Sequence, residues 1–120
     1  MLRRMARAIR MEFAGAVYHV TARGNRRKRI FVDDADPERF LEYVEEAARR
    51  FRWVITSFVL MVNRFHLVIE TPDPNLARGM QWLNGSYACY FNKRHGKVGH
   101  LFGERYKAIP VETVTRRRRA

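Results

Sequence analysis

The sequence holds a single cysteine, Cys89, in 120 residues, so an internal disulfide framework is excluded. Cys89 falls among apolar residues of a predicted helix, where an inert core thiol is expected. No apolar run is long enough to span a membrane. The arginine-rich N-terminus lacks the continuous apolar stretch of a signal peptide and leads straight into the first predicted strand, so it is read as mature protein. A cytoplasmic location without a membrane partner is the expectation. Internal repeats, low-complexity tracts and linkers are missing from the body, which at this length suits one domain over residues 1–115 and a basic tail at 116–120.

Acidic residues are also scarce. Twelve Asp and Glu face 24 Lys and Arg, a net charge of +12. The excess is uneven: residues 1–30 carry nine Lys/Arg against one acid, residues 31–52 four against seven, and residues 93–120 nine against two. Two basic ends around an acidic middle are the electrostatic footprint of a polyphosphate partner. Nucleic acid is favoured over a membrane surface, because no basic amphipathic helix with a large apolar face is evident. The run Arg116–Arg119 carries less weight, since short exposed tails are usually solvated.

Ala16 to Arg23 reads as a strand rich in β-branched and aromatic residues, followed by a turn at Gly24-Asn25. Asp36 as cap and Pro37 at the first helical position open a helix whose apolar residues Phe40, Leu41, Val44, Ala47, Ala48 and Phe51 keep helical spacing. Trp53 to Met61 and Phe65 to Glu70 are predicted strands joined in a hairpin through Val62-Asn63-Arg64. A second helix is predicted from Asn75 to Lys93, with Gly79 and Gly85 as points of close approach, and a last strand from Leu101 to Val111. The order strand, helix, strand, strand, helix, strand is the ferredoxin-like α+β pattern, an antiparallel sheet with two helices on one face. Its first and third strands are central neighbours, so His19 and His66 come near each other, on faces the sequence does not specify.

Within Arg64-Phe65-His66 the alternation of a strand puts Arg64, His66, Val68 and Glu70 on one face. A histidine at 64 would give two adjacent imidazoles able to share a divalent metal. On spacing alone, His66 is a strand histidine beside a surface arginine. Two further segments, from Arg10 to Arg27 and from Gly99 to Ala108, together with Arg64-Phe65-His66, resemble the IS200-like transposases of the HUH type, with REP-associated tyrosine transposases as the closest branch. The resemblance implies the ferredoxin-like fold, DNA transposition, a divalent metal (Mg or Mn) held by paired histidines, and a tyrosine nucleophile on a later helix. This sequence departs from it twice. Arg64 stands at the first metal-ligand position, and a guanidinium cannot coordinate. The nucleophile helix is expected to be missing, the sequence being truncated before it. His66 is then the remnant of a degenerate metal site, with His19 and Glu70 as candidate helpers, no cofactor is predicted, and nicking is expected to be lost. Tyr87 and Tyr90 fit a packing face; Glu70 could instead pair with Arg64; His95 and His100 read as a solvated loop.

The candidate DNA-binding residues are Arg23, Asn25, Arg26, Arg27, Lys28 and Arg29 in the first basic segment, and Arg94, Lys97, Arg105, Tyr106 and Lys107 in the second. Cations interleaved with Phe102 and Tyr106 suit single-stranded or hairpin DNA. A homodimer is left open. Two rivals stand beside this reading: an active metal-dependent transposase with an altered metal site, and a ferredoxin-like RNA-binding module, which would display aromatics on the open sheet face.

Overall fold

In the computed structural model, which describes residues 12–111, four strands and two long helices follow the predicted order: β1 (Ala16–Arg23), α1 (Ala35–Phe51), β2 (Val54–Met61), β3 (Arg64–Thr71), α2 (Leu76–His95) and β4 (Lys107–Pro110). A short 3-10 turn, Asn25–Arg27, follows β1. The sheet is antiparallel throughout, in the order β2-β3-β1-β4, the ferredoxin-like arrangement.

The strand period of two decides which face is buried. Tyr18, Val20 and Ala22 of β1 and Phe65, Leu67 and Ile69 of β3 point into one core with Phe40, Val44 and Ala47 of α1 and Leu76, Met80, Leu83, Tyr87 and Phe91 of α2. Both helices therefore cover the same side of the sheet. Aromatic rings dominate the packing: Phe40 lies 4.6 Å from Phe65 and 5.2 Å from Tyr87 between ring centroids. Each such side chain contributes roughly 1.5–3 kcal/mol on burial. The opposite face of the sheet has no layer over it among the described residues.

Several boundaries differ from the sequence expectation. The hairpin turn is only Val62-Asn63, and Arg64 already pairs with Met61 as the first residue of β3. Asp36 does not cap α1. Asp33 Oδ1 accepts the Ala35 amide instead, and Asp36, the second residue of the helix, is fully buried and accepts the Val32 amide at 2.8 Å. The last strand shrinks from Leu101–Val111 to Lys107–Pro110, because the preceding stretch gives its backbone bonds to the loop after β1: Asn25 N–H donates to Leu101 O, and Gly103 N–H to Arg23 O. Cys89 is exposed on α2 rather than in the core. His95 closes α2 rather than sitting in a loop. The basic tail, Arg116–Arg119, lies outside the described residues.

Of the two glycines expected at close approaches, only Gly79 is one. A Cβ there would sit 2.0 Å from the Trp53 ring, whose Nε1–H is tied to Asn75 Oδ1. Around Gly85 there is open space. Gly85→Ala should therefore raise stability by up to about 1 kcal/mol through helix propensity. Gly79→Ala should lower it by about 1–3 kcal/mol through overpacking. Thermal melts of the two variants, shifting in opposite directions, check this.

Candidate nucleic-acid interface

The register of the sheet brings two distant histidines together. Thr21 of β1 pairs with His66 of β3, and His19 with Val68, so all four side chains share the uncovered face. His19 Nε2 lies 3.0 Å from His66 Nδ1, and Thr21 Oγ1 also lies 3.0 Å from that nitrogen. Lys107 of β4 pairs with Thr21 from the other side. One step along the strands, Arg23 and Arg64 stand directly opposite each other. Burial lowers the His66 pKa, and His19, Arg64 and Arg23 lower it further by charge. The charged imidazolium is thus disfavoured at His66.

The residues fit a divalent metal poorly. Two imidazole nitrogens 3.0 Å apart match the spacing of ligands on one ion. However, Mg and Mn favour oxygen ligands beside any imidazoles, and the carboxylate considered as a helper, Glu70, lies four residues along β3 from His66, about 13 Å away. It is also six residues from Arg64, about 20 Å, which rules out the pairing considered for it. Among the described residues no three His, Cys, Asp or Glu gather. Arg23, Arg64 and Lys107 add repulsion toward any cation.

Beside this row the chain forms a cleft of about 340 Å³, lined by Thr21, Arg23, Asn25, Arg26, Arg27, Arg105 and Lys107 and by one acid, Glu104, which makes no ion pair with them. Gly24 makes the turn possible, since a Cβ there would meet the Lys28 carbonyl oxygen at 2.1 Å. Arg26 and Arg27 both take positive φ, +56° and +61°, at a cost of roughly 1–2 kcal/mol each for a side chain. Asn63 Nδ2–H, donating to Arg27 O, helps hold them. Arg52, which ends α1, takes a similar positive φ of +60°.

Five arginines of the helix layer are paired. Arg39 meets Glu42, Arg49 and Arg50 meet Glu46, and Arg52 meets Asp73. Arg94 lies 2.8 Å from both Asp33 and Asp36, so the guanidinium expected to bind DNA is committed to the helix layer. Burial would raise the Asp36 carboxyl, but the Val32 amide, His95, Tyr90 and Arg94 together hold it below the ordinary carboxylate range. By contrast Arg23, Arg26, Arg27, Arg64, Arg105 and Lys107 form no ion pair among the described residues. Lys28 and Arg29 are exposed just beyond the cleft, and Lys97 lies in the loop after α2. Tyr106 and Phe102 are part-buried against the core, Phe102 edge-on to Phe65, so they offer no stacking platform on the open face. Thr21 escapes a reading of the sequence alone, because only strand register reveals it.

The model of the family described as "Transposase IS200 like" matches residues 12–118. The chain belongs to the IS200-like transposase family. Two solved structures share the fold of this IS200-like domain. A REP-associated tyrosine transposase, determined bound to a REP hairpin, aligns with a TM-score of 0.71 at 14% identity, over 92% of this chain and 64% of its own. A protein from Deinococcus radiodurans, provisionally described as a transposase, aligns with a TM-score of 0.66 at 18% identity, over 88% of this chain and 87% of its own. The IS200-like chain thus spans under two thirds of the first protein's length. No protein of curated function matches it. Among the described residues, no helix is long and apolar enough to cross a membrane.

The depressed pKa of His66 has a measurable sign. Its folded value lies below the unfolded value near 6.5, so the unfolded chain binds the proton more readily. Stability should fall as pH drops below about 6.5. In NMR titrations His66 should titrate below a free imidazole, and Arg64→Ala should move it part of the way back, burial being the larger cause.

Proposed function

We propose that this domain binds single-stranded or hairpin DNA through the cleft between the Asn25–Arg27 turn and β4, and that it does not nick the DNA it binds. The observation that carries the first part is the division of charge: five arginines of the helix layer, Arg39, Arg49, Arg50, Arg52 and Arg94, pair with acids, while those around the cleft do not among the described residues. Unpaired arginines on a rigid sheet edge are what phosphate contacts require. The hairpin held by the REP-associated relative supports the same class of partner.

Loss of nicking rests on two features. The donor set beside His66 suits a hard divalent metal badly. In addition, none of the five tyrosines is placed to attack from the open face. Tyr18 and Tyr87 are in the core, Tyr90 donates to Asp36, Tyr43 packs on Trp82, and Tyr106 packs toward the helix side. Burial pushes the phenols of Tyr18, Tyr87 and Tyr90 up, Tyr87 furthest, which disfavours the nucleophilic phenolate. The RNA-binding alternative loses ground because the open face, among the described residues, presents no Phe, Tyr or Trp for stacking.

Replacing Arg26 and Arg27 by Ala should weaken DNA binding and reduce the slope of log affinity against log salt by about 0.7 for each phosphate no longer neutralised. Replacing Arg49 and Arg52 removes the same charge from the helix layer and should change little. Fluorescence anisotropy across a salt series decides, and equal weakening by both pairs would contradict a local interface. Arg26→Gly should weaken binding while maintaining or raising the thermal midpoint, because glycine accepts the positive φ. On denaturing gels, end-labelled hairpin DNA with Mg²⁺ or Mn²⁺ should give no covalent adduct. An adduct abolished by mutating one tyrosine would establish nicking instead.

A further inference from the structure

We infer that the row around His66 is a metal-independent phosphate site, in which the Arg64 guanidinium, with Arg23 and Lys107, takes the charge-neutralising place that a metal would fill. The inference rests on the DNA-binding reading and extends it from the cleft to the open sheet face. Three observations carry it. Arg23 and Arg64 stand directly opposite in register, a like-charge pairing that is unfavourable in a sheet. No acid among the described residues relieves it. The Arg64 side chain donates, through Nε, to the Met61 sulfur at 3.3 Å, which leaves the two terminal nitrogens of its fork to a ligand.

The neighbouring row supplies donors rather than ligands for a cation. Thr21, His66 and Lys107 lie side by side across β1, β3 and β4, with His19 one step on. A lysine ammonium, two guanidiniums and the His66 Nε2 position left open by the contacts of Nδ1 with Thr21 and His19 surround one patch. The tetrahedral oxygens of a phosphate match that set, and the guanidinium fork suits them better than a point charge does. Thr21, Arg23 and Lys107 also line the cleft that holds Arg26 and Arg27. One phosphate on the sheet and the next in the cleft would therefore lie on a continuous cationic track.

The test uses the full chain in EDTA, with inorganic phosphate and separately with a DNA hairpin, followed by NMR of backbone amides, imidazole groups and arginine Nε–H groups. Phosphate should shift Arg23, Arg64, His66 and Lys107 without added metal. Arg64→Ala should weaken that binding roughly tenfold, as expected when one bidentate phosphate interaction is removed, with the core signals of Phe65 and Leu67 unchanged. Arg64→His should lose metal-free binding as well and respond to Mn²⁺, which the unmodified chain should not. Phosphate binding that requires a divalent metal in the unmodified chain would overturn the inference. So would a hairpin that shifts Arg26 and Arg27 while leaving Arg64 and His66 unmoved, an outcome that leaves the DNA-binding reading standing. Silence at both places would overturn both.

Discussion

The antiparallel pairing of β1 with β3, Thr21 against His66 and Arg23 against Arg64, sets everything functional in this domain. Because side chains alternate along a strand, a slip of one residue would exchange Tyr18, Val20 and Ala22 for His19, Thr21 and Arg23 on the core side. That exchange is prohibited by the cost of burying a guanidinium, a hydroxyl and an imidazole where aromatic rings now pack. Hydrophobic burial on one face therefore fixes, at no separate cost, the polar constellation on the other. The site is rigid because the core beneath it is.

The distribution of ion pairs separates stability from recognition. Asp36 is fully buried and accepts from a backbone amide, a tyrosine, an arginine and a histidine, joining the start of α1 to the end of α2. Removal of one member of such a network leaves the buried carboxylate under-satisfied, which is costlier than loss of any exposed pair. The exposed arginines of the helix layer add little each. Around the cleft the logic reverses: cations stay unpaired among the described residues, and two of them stand opposite each other. Under the proposed function a bound polyanion would offset these local penalties.

The strand and helix order was legible from the sequence because each long element carries a clear period, and β1, β2 and β3 begin and end within a residue of expectation. What escaped was decided by tertiary structure. The stretch from Leu101 to Tyr106 has strand composition, yet its backbone bonds go to the turn after β1. Arg94 looks like any basic residue near a loop until Asp33 and Asp36, about 60 positions earlier, close on it. The strand position of His66 beside Arg64 was readable from the sequence, while Thr21 and the facing of His19 depended on register alone. Glu70 illustrates the opposite failure: it shares the face of His66 but stands too far along the strand to help.

The most direct test of the interface is chemical-shift mapping of the isotope-labelled chain with a DNA hairpin at low salt. Perturbations confined to the Arg23–Arg27 segment, Arg105, Lys107 and the open faces of β1 and β3, and reversed by raising the salt, are the expected result. Perturbations centred on α1 and α2, around Arg39, Trp82 and Cys89, would contradict it.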